Sequence, residues 1–340
     1  MSTGRSSRRA AGVLAFAVLL VGCTGGGAPD PAPPSGGPVT GGAASTTRAA
    51  ELEAGLTWTL VERVQTSDSG SPALAELLAG PDEGARLALL AALRRVDRRH
   101  RGSGRSLTAA LRRVAPGTDS DELAQVALHL SSRPGGAGPY DGLHAASLQA
   151  RNDARVLAAG VAAARGLGPT GTRASALRAD LTGLLLEHVA LTTALARELA
   201  EGGAGADGAR AALAANTAAL VGLLGVAYPE LAEPFARAWS SQVLRLESVA
   251  TAVVVSGSSA PSLDSAARTL AEVFTPAVDD LPVERLTAAL EPLLRAQVRA
   301  VESAARKDPA AAEDLRRATA AVPAPVALLS AAIAEHLRLS

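Results

Sequence analysis

From Ala49 onward, apolar side chains return every three or four positions, beginning with Leu52, Leu56, Leu60 and Val64. That is the period of a helix with one buried face, and nowhere does the two-residue alternation of a half-buried strand replace it. The pattern predicts a first helix from about 49 and a break at Ser67 to Pro72. Shorter helices follow over 83–98, 105–114 and 119–130. Ser131 to Gly142 is a loop by composition, and an alanine-rich helix runs from about Leu143 to Arg165. After a second break come helices near 172–201, 205–227, 229–256, 262–278, 283–307, 309–321 and 325–338. Pro229, Pro261, Pro282 and Pro309 mark starts, where a missing N–H does no harm. The expected fold class is all-α: tandem antiparallel helical bundles behind a disordered N-terminal tether.

The second break, Gly166-Leu167-Gly168-Pro169-Thr170-Gly171, matches G-x-G-x-x-G in letters. The dinucleotide reading fails, because that motif needs a strand to deliver the turn and a βαβ unit around it. A helix stop between an N-terminal helical domain, 47–166, and C-terminal bundle repeats, 172–340, fits better.

The helices carry an internal repeat. LEAGLTWTLVERV at 52–64 aligns with LRADLTGLLLEHV at 177–189, and more loosely with LTAALEPLLRAQV at 286–298. In the second copy Leu177, Leu181, Leu184, His188, Leu191 and Leu195 form an inward seam. In the third, Leu286, Leu290, Leu293, Gln297, Ala300 and Ala304 do the same. One seam position is polar in both, His188 and then Gln297; the first copy places Arg63 there. Such a residue either fixes register against a neighbouring helix or points into a ligand pocket. Leaving it unpaired would cost roughly 1–3 kcal/mol, so a partner is expected, and Asn216 on the next helix is the candidate for His188.

Composition strengthens the helical reading. Alanine, leucine and arginine dominate, and isoleucine and aromatic residues are scarce. The chain has a single cysteine, Cys23, following Leu20-Val21-Gly22. Upstream lie an apolar stretch from Ala10 to Gly22 and a basic start with Arg5, Arg8 and Arg9. This is the order of a secretory signal ending at a lipid-acceptor cysteine, and about 13 apolar residues fall short of the roughly 20 that span a bilayer. Residues 1–23 are therefore expected to be a lipoprotein signal peptide with Cys23 lipidated, and 24–46, rich in Gly, Pro, Ser and Thr, a disordered tether about 25 Å in typical span. Removing the three signal arginines leaves 30 basic against 33 acidic residues, a formal charge of −3. With no basic excess, a nucleic-acid partner is not expected. Arg94-Arg95 and Arg98 to Arg101 read as a solvated helix end.

Chemistry finds little support. His100, His129, His144, His188 and His336 include no pair three or four apart, and Glu-x-x-His is absent, so no metal site and no cofactor are expected. There is no G-x-S-x-G elbow. Lys307, the single lysine, lies outside any phosphate loop, and Asp279-Asp280 read as a turn before Pro282. No catalytic residue is assigned, and the chain is not expected to be an enzyme.

LLLEHVAL at 184–191, LAANT at 213–217, GVAY at 225–228 and the stretch Phe235 to Trp239 resemble a family of uncharacterised, secreted helical-repeat lipoproteins of Gram-positive and related bacteria. The resemblance covers about 172–340, and its distinctive residues are Glu187, His188, Asn216, Tyr228 and Trp239. Family members carry E-H-V-x-L, L-x-x-N-S, a glycine and a tyrosine, then F-x-x-L-W-x-x-H, with no enzymatic activity assigned. This chain departs from the pattern at Ala190, at Gln242 in place of the last histidine, and at 320–325. If relatives bind metal through those positions, this chain has lost that capacity. The resulting expectation is a protein lipid-anchored through Cys23 on the outer face of the cytoplasmic membrane, a non-catalytic interaction or scaffold module with an envelope protein as partner. The alternative is a small-ligand or metal-binding bundle centred on His188.

Overall fold

A computed structural model describes residues 43–66, 83–99, 139–258, 265–278 and 281–339. The signal region with Cys23, tether residues 24–42, the expected helices 105–114 and 119–130, His100, His129 and Asp279-Asp280 lie outside the described residues.

Every regular element among the described residues is an α-helix. In chain order these are α1 (Ala43–Thr66), α2 (Glu83–Arg99), α3 (Pro139–Arg165), α4 (Arg173–Ala200), α5 (Ala206–Ala227), α6 (Pro229–Ser256), α7 (Ala266–Phe274), α8 (Val283–Ala305), α9 (Ala311–Ala320) and α10 (Pro323–His336). The all-α expectation holds. Two starts come earlier than the composition suggested. Helix α1 takes up 43–46, where Ala43 and Ala44 are strong helix formers. Helix α3 takes up 139–142, because Pro139 suits a first helical turn. Its neighbour Tyr140 donates its hydroxyl to Glu198 Oε1, and Glu198 Oε2 accepts the Gly205 N–H at 2.9 Å. Burial, then the bond to the Glu198 carboxylate, pushes the Tyr140 pKa up, so the phenol stays a donor.

Helix α4 is the axis of the fold. It packs against α1, α3, α5, α6, α8, α9 and α10. Residues 181 to 193 are buried without interruption. The sequence LTGLLLEHVALTT explains this: Glu187 is its only carboxylate, so the helix offers no solvent face. Its buried hydroxyls are satisfied locally, with Thr182 Oγ1 donating to Arg178 O at 2.8 Å and Thr193 Oγ1 to Val189 O at 2.9 Å. Helix α8 is the second hub, against α4, α6, α7, α9 and α10, and its whole predicted seam from Leu286 to Ala304 is buried. Two stretches, Ala206–Ala227 and Ala311–His336, are long and apolar enough to cross a bilayer by length and composition, but a third or more of each apolar window is buried inside the bundle.

The break at 166–172 is a short turn. Helix α3 stops at Gly166, whose φ of 61° favours glycine, and Leu167 N–H returns to Ala162 O at 3.0 Å. Thr172 then caps α4, its Oγ1 accepting the Ser175 N–H at 3.2 Å. Helices on both sides of the turn pack together, α1 and α3 directly on α4, and all described residues belong to one compact unit.

Candidate functional site

Adjacent residues on a helix point about 100° apart. Glu187 and His188 therefore leave α4 in different directions, and the two halves of the sequence-derived site separate.

Glu187 is completely buried and faces α3 and α5. His144 Nδ1 lies 2.6 Å from its Oε1, and Asn216 Nδ2 donates to its Oε2 at 3.1 Å and to Leu184 O at 2.9 Å. Asn216 thus serves Glu187 and not His188, contrary to the pairing expected from the seam. Beside them runs Arg151, buried along its length, with Nη1 3.6 Å from Asp180 Oδ1. Desolvation lowers the Arg151 pKa, while the negative charges of Asp180 and Glu187 hold the guanidinium charged. The neighbouring Arg155 reaches Asp180 at 2.5 Å and Glu53 at 3.6 Å, and Glu53 also accepts the Gly171 N–H at 2.9 Å. Carboxylates of α1 and α4 and cations of α3 thereby make one partly buried electrostatic joint, with Glu53 and Arg151 inside and Arg155 and Asp180 at its half-exposed edge. Sequence reasoning missed Glu53, His144, Arg151 and Arg155. One signal was present, a glycine inside the leucine-rich run of α4.

That glycine is Gly183. A Cβ built there would sit 2.8 Å from Arg151 Cγ, so the arginine stem lies directly across it. Helix propensity alone gives Gly183→Ala a gain of about 1 kcal/mol. The clash with a buried stem wins, since overpacking costs about 1–3 kcal/mol. Gly183→Ala is expected to lower stability by up to about 2 kcal/mol net in urea unfolding. A stabilised variant would mean that Arg151 does not rest on α4.

His188 points the other way, towards α6. Its ring lies on Trp239, centroids 4.6 Å apart and planes tilted by 51°. Trp239 continues to Phe235 at 5.4 Å, and Phe235 to Phe274 at 5.8 Å. Among the described residues neither His188 ring nitrogen has a hydrogen-bond partner, and neither has Trp239 Nε1. Full burial pushes the His188 pKa down to about 3, so the imidazole is neutral. Next to Trp239 is a cavity of about 40 Å³ walled by apolar side chains such as Leu185, Leu220, Leu270 and Val326. It is room for about one water and holds no polar group to keep it.

The second seam position does find the expected kind of partner. Gln297 Nε2 donates to Thr192 Oγ1 at 3.0 Å, Gln242 Nε2 donates to Gln297 Oε1 at 3.1 Å, and Thr192 Oγ1 returns to His188 O at 3.0 Å. This ladder ties α4, α6 and α8 together. Arg63, at the matching position of the first repeat, is half-buried in α1. Tyr228 stands apart, in the corner between α5 and α6, with its ring 5.7 Å from that of His336. The five nominated residues therefore form two adjoining pairs, Glu187–Asn216 and His188–Trp239, and one outlier. Among the described residues no three His, Cys, Asp or Glu side chains are placed to hold a metal ion.

The chain matches no protein family, no curated protein and no solved structure. What the arrangement does must therefore be read from its own chemistry. Buried carboxylates meet buried cations, amides close a ladder, and the remaining imidazole is neutral and enclosed. These are the properties of helix-to-helix joints. The open hollows lie elsewhere. The larger, about 740 Å³, runs between α1, α4 and the turn joining α9 to α10, and Arg48, Glu51, Trp58, Thr59, Arg178 and Thr182 are among its walls. Both threonine hydroxyls there are spent on their own helices, Thr59 Oγ1 donating to Gly55 O at 3.0 Å and Thr182 Oγ1 to Arg178 O. Trp58 Nε1 donates to Thr319 O at 3.4 Å. The cleft offers an amphipathic surface.

Proposed function

We propose that this protein is a non-catalytic interaction module of the cell envelope, tethered through lipid on Cys23 to the outer face of the cytoplasmic membrane. The observation that carries the reading is the cleft of about 740 Å³ beside α1: it mixes apolar and charged walls, as contact surfaces do, and its hydroxyls are already engaged. Its entrance includes Arg48, close behind the tether, so a partner held there would sit near the membrane. The resemblance to secreted helical-repeat lipoproteins points the same way.

Two measurements test this. Cells fed labelled palmitate should label the wild-type chain and leave Cys23→Ser unlabelled and released from the membrane fraction; equal labelling of the two would remove the anchor from the reading. A photo-crosslinking residue at Arg178 should trap one defined envelope protein, while the same probe at exposed Arg268 traps none. Identical patterns at the two positions would count against a docking cleft.

A second reading, a small-ligand or metal-binding bundle centred on His188, is favoured by one observation, the unpaired nitrogens of His188 and Trp239. It predicts that zinc or copper raises the melting temperature of wild type and not of His188→Leu.

A further inference from the structure

Away from these residues, arginines gather in a groove between α2 and α3. Arg95, Arg98 and Arg99 stand on α2 at steps of three and one, all on one exposed side, and face Asn152, Arg155 and Val156 on α3. The hollow between them is about 620 Å³, within the range of ligand sites, and no carboxylate among the described residues lines it. Arg95, Arg98 and Arg99 have no carboxylate partner among the described residues. Read from sequence alone this was a solvated helix end; the structure adds a second wall and a fourth guanidinium.

The walls are held firmly. Gly160 lets α2 and α3 approach so closely that a Cβ there would lie 2.7 Å from Ala92 Cβ and 3.2 Å from Arg95 Nη2. Arg155 is braced from behind by Asp180 at 2.5 Å and beside Asn152 Oδ1 at 3.5 Å. Three unpaired guanidinium groups in one groove repel one another until an anion enters. Guanidinium forks match phosphate oxygens in pairs. Among the described residues no aromatic ring lines the groove, so they offer no platform on which a nucleobase could stack.

We propose that the groove between α2 and α3 binds a phosphate-bearing anion, a phosphomonoester or phosphodiester group, gripped by Arg95, Arg98 and Arg99 against the braced Arg155. The site stands independently of the lipid anchor and of the cleft beside α1. The same chemistry could come from a soluble phosphate compound or from a phospholipid headgroup, and the arms of the test separate them.

Thermal unfolding of the full chain is measured with inorganic phosphate and with sodium chloride at matched ionic strength. At ten times its Kd, phosphate is expected to raise Tm by about 3 °C beyond the chloride effect. Arg95→Gln/Arg98→Gln/Arg99→Gln is expected to abolish the difference and to leave the anion-free Tm equal or higher, since like-charge repulsion is relieved. Equal responses to phosphate and chloride, or a phosphate response surviving in the triple variant, would overturn the proposal. Should the triple variant fail to fold by circular dichroism, equilibrium dialysis of labelled phosphate with Arg98→Gln and Arg98→Lys decides. About tenfold weaker binding for Gln, with part restored by Lys, supports the site, and unchanged binding refutes it. In the second arm, wild type and triple variant are sedimented with vesicles of phosphatidylcholine, with and without phosphatidylglycerol. The apolar N-terminal segment contributes equally to both chains, so a difference that appears only with phosphatidylglycerol assigns the site to headgroups. A phosphate response without that difference assigns it to a soluble phosphate.

Discussion

His188→Leu is expected to leave stability at neutral pH unchanged or raised by about 1–2 kcal/mol, and to flatten the loss of stability in acid. The wild-type ring has two buried nitrogens without partners, and leucine removes both. The contact with Trp239 offsets part of that gain, since such ring pairs contribute about 0.5–1.5 kcal/mol. The acid effect is larger. Burial holds the folded pKa at about 3, while the unfolded side chain titrates at its ordinary 6.5. Between those values only the unfolded state takes up the proton, so stability is fully present above pH 6.5 and falls as pH drops towards 3. At 1.36 kcal/mol per pH unit the loss reaches about 3 kcal/mol by pH 4 and about 4 kcal/mol by pH 3. Urea unfolding at pH 7.5 and pH 4 checks this. Wild type should lose about 3 kcal/mol more than His188→Leu between the two conditions. Parallel losses would mean that the imidazole is hydrated or paired.

Glu187→Leu should be among the most damaging single changes, at about 3–5 kcal/mol. The substitution removes the acceptor of both His144 and Asn216 and takes a counter-charge from buried Arg151. Glu187→Gln keeps an oxygen for Asn216 and should cost less, the remainder reporting the charge. A double-mutant cycle of Glu187→Ala with Asn216→Ala isolates their bond, and a coupling of about 1.5–3 kcal/mol is expected for a buried bond to a charged group. Additive losses would show that the two side chains do not meet in solution.

The helices were legible because apolar spacing and proline positions are local, and they place most starts and stops within a few residues. The centrality of α4 was legible too, in LLLEHVAL, which leaves no polar face to give to water. The seams in α4 and α8 and their polar members followed from the same spacing. What the seam rule could not give was the partner of each polar group. Glu187 and His188 are one residue apart, and which of them meets Asn216 depends on how α5 is rotated against α4, a matter of tertiary packing. The joint of Glu53, Arg155 and Asp180 was illegible for another reason: its members come from three helices spread over 128 residues, and each alone reads as an ordinary surface charge. Gly183 was the exception, a costly residue in a helix interior that marks the crossing of Arg151. The Arg95 groove needed two helices side by side before its charge had a shape.

The central claim is that buried and half-buried charges join the helices before and after the turn at 166–172 into one folding unit. The chain has two tryptophans, Trp58 in α1 and Trp239 in α6, one on each side of that turn. Urea unfolding of Trp58→Phe and Trp239→Phe, each followed by its remaining indole, reads the two sides separately. Coincident transitions are predicted, moving down together when Asp180→Ala is added; two separate midpoints, with only one of them sensitive to Asp180→Ala, would contradict the account.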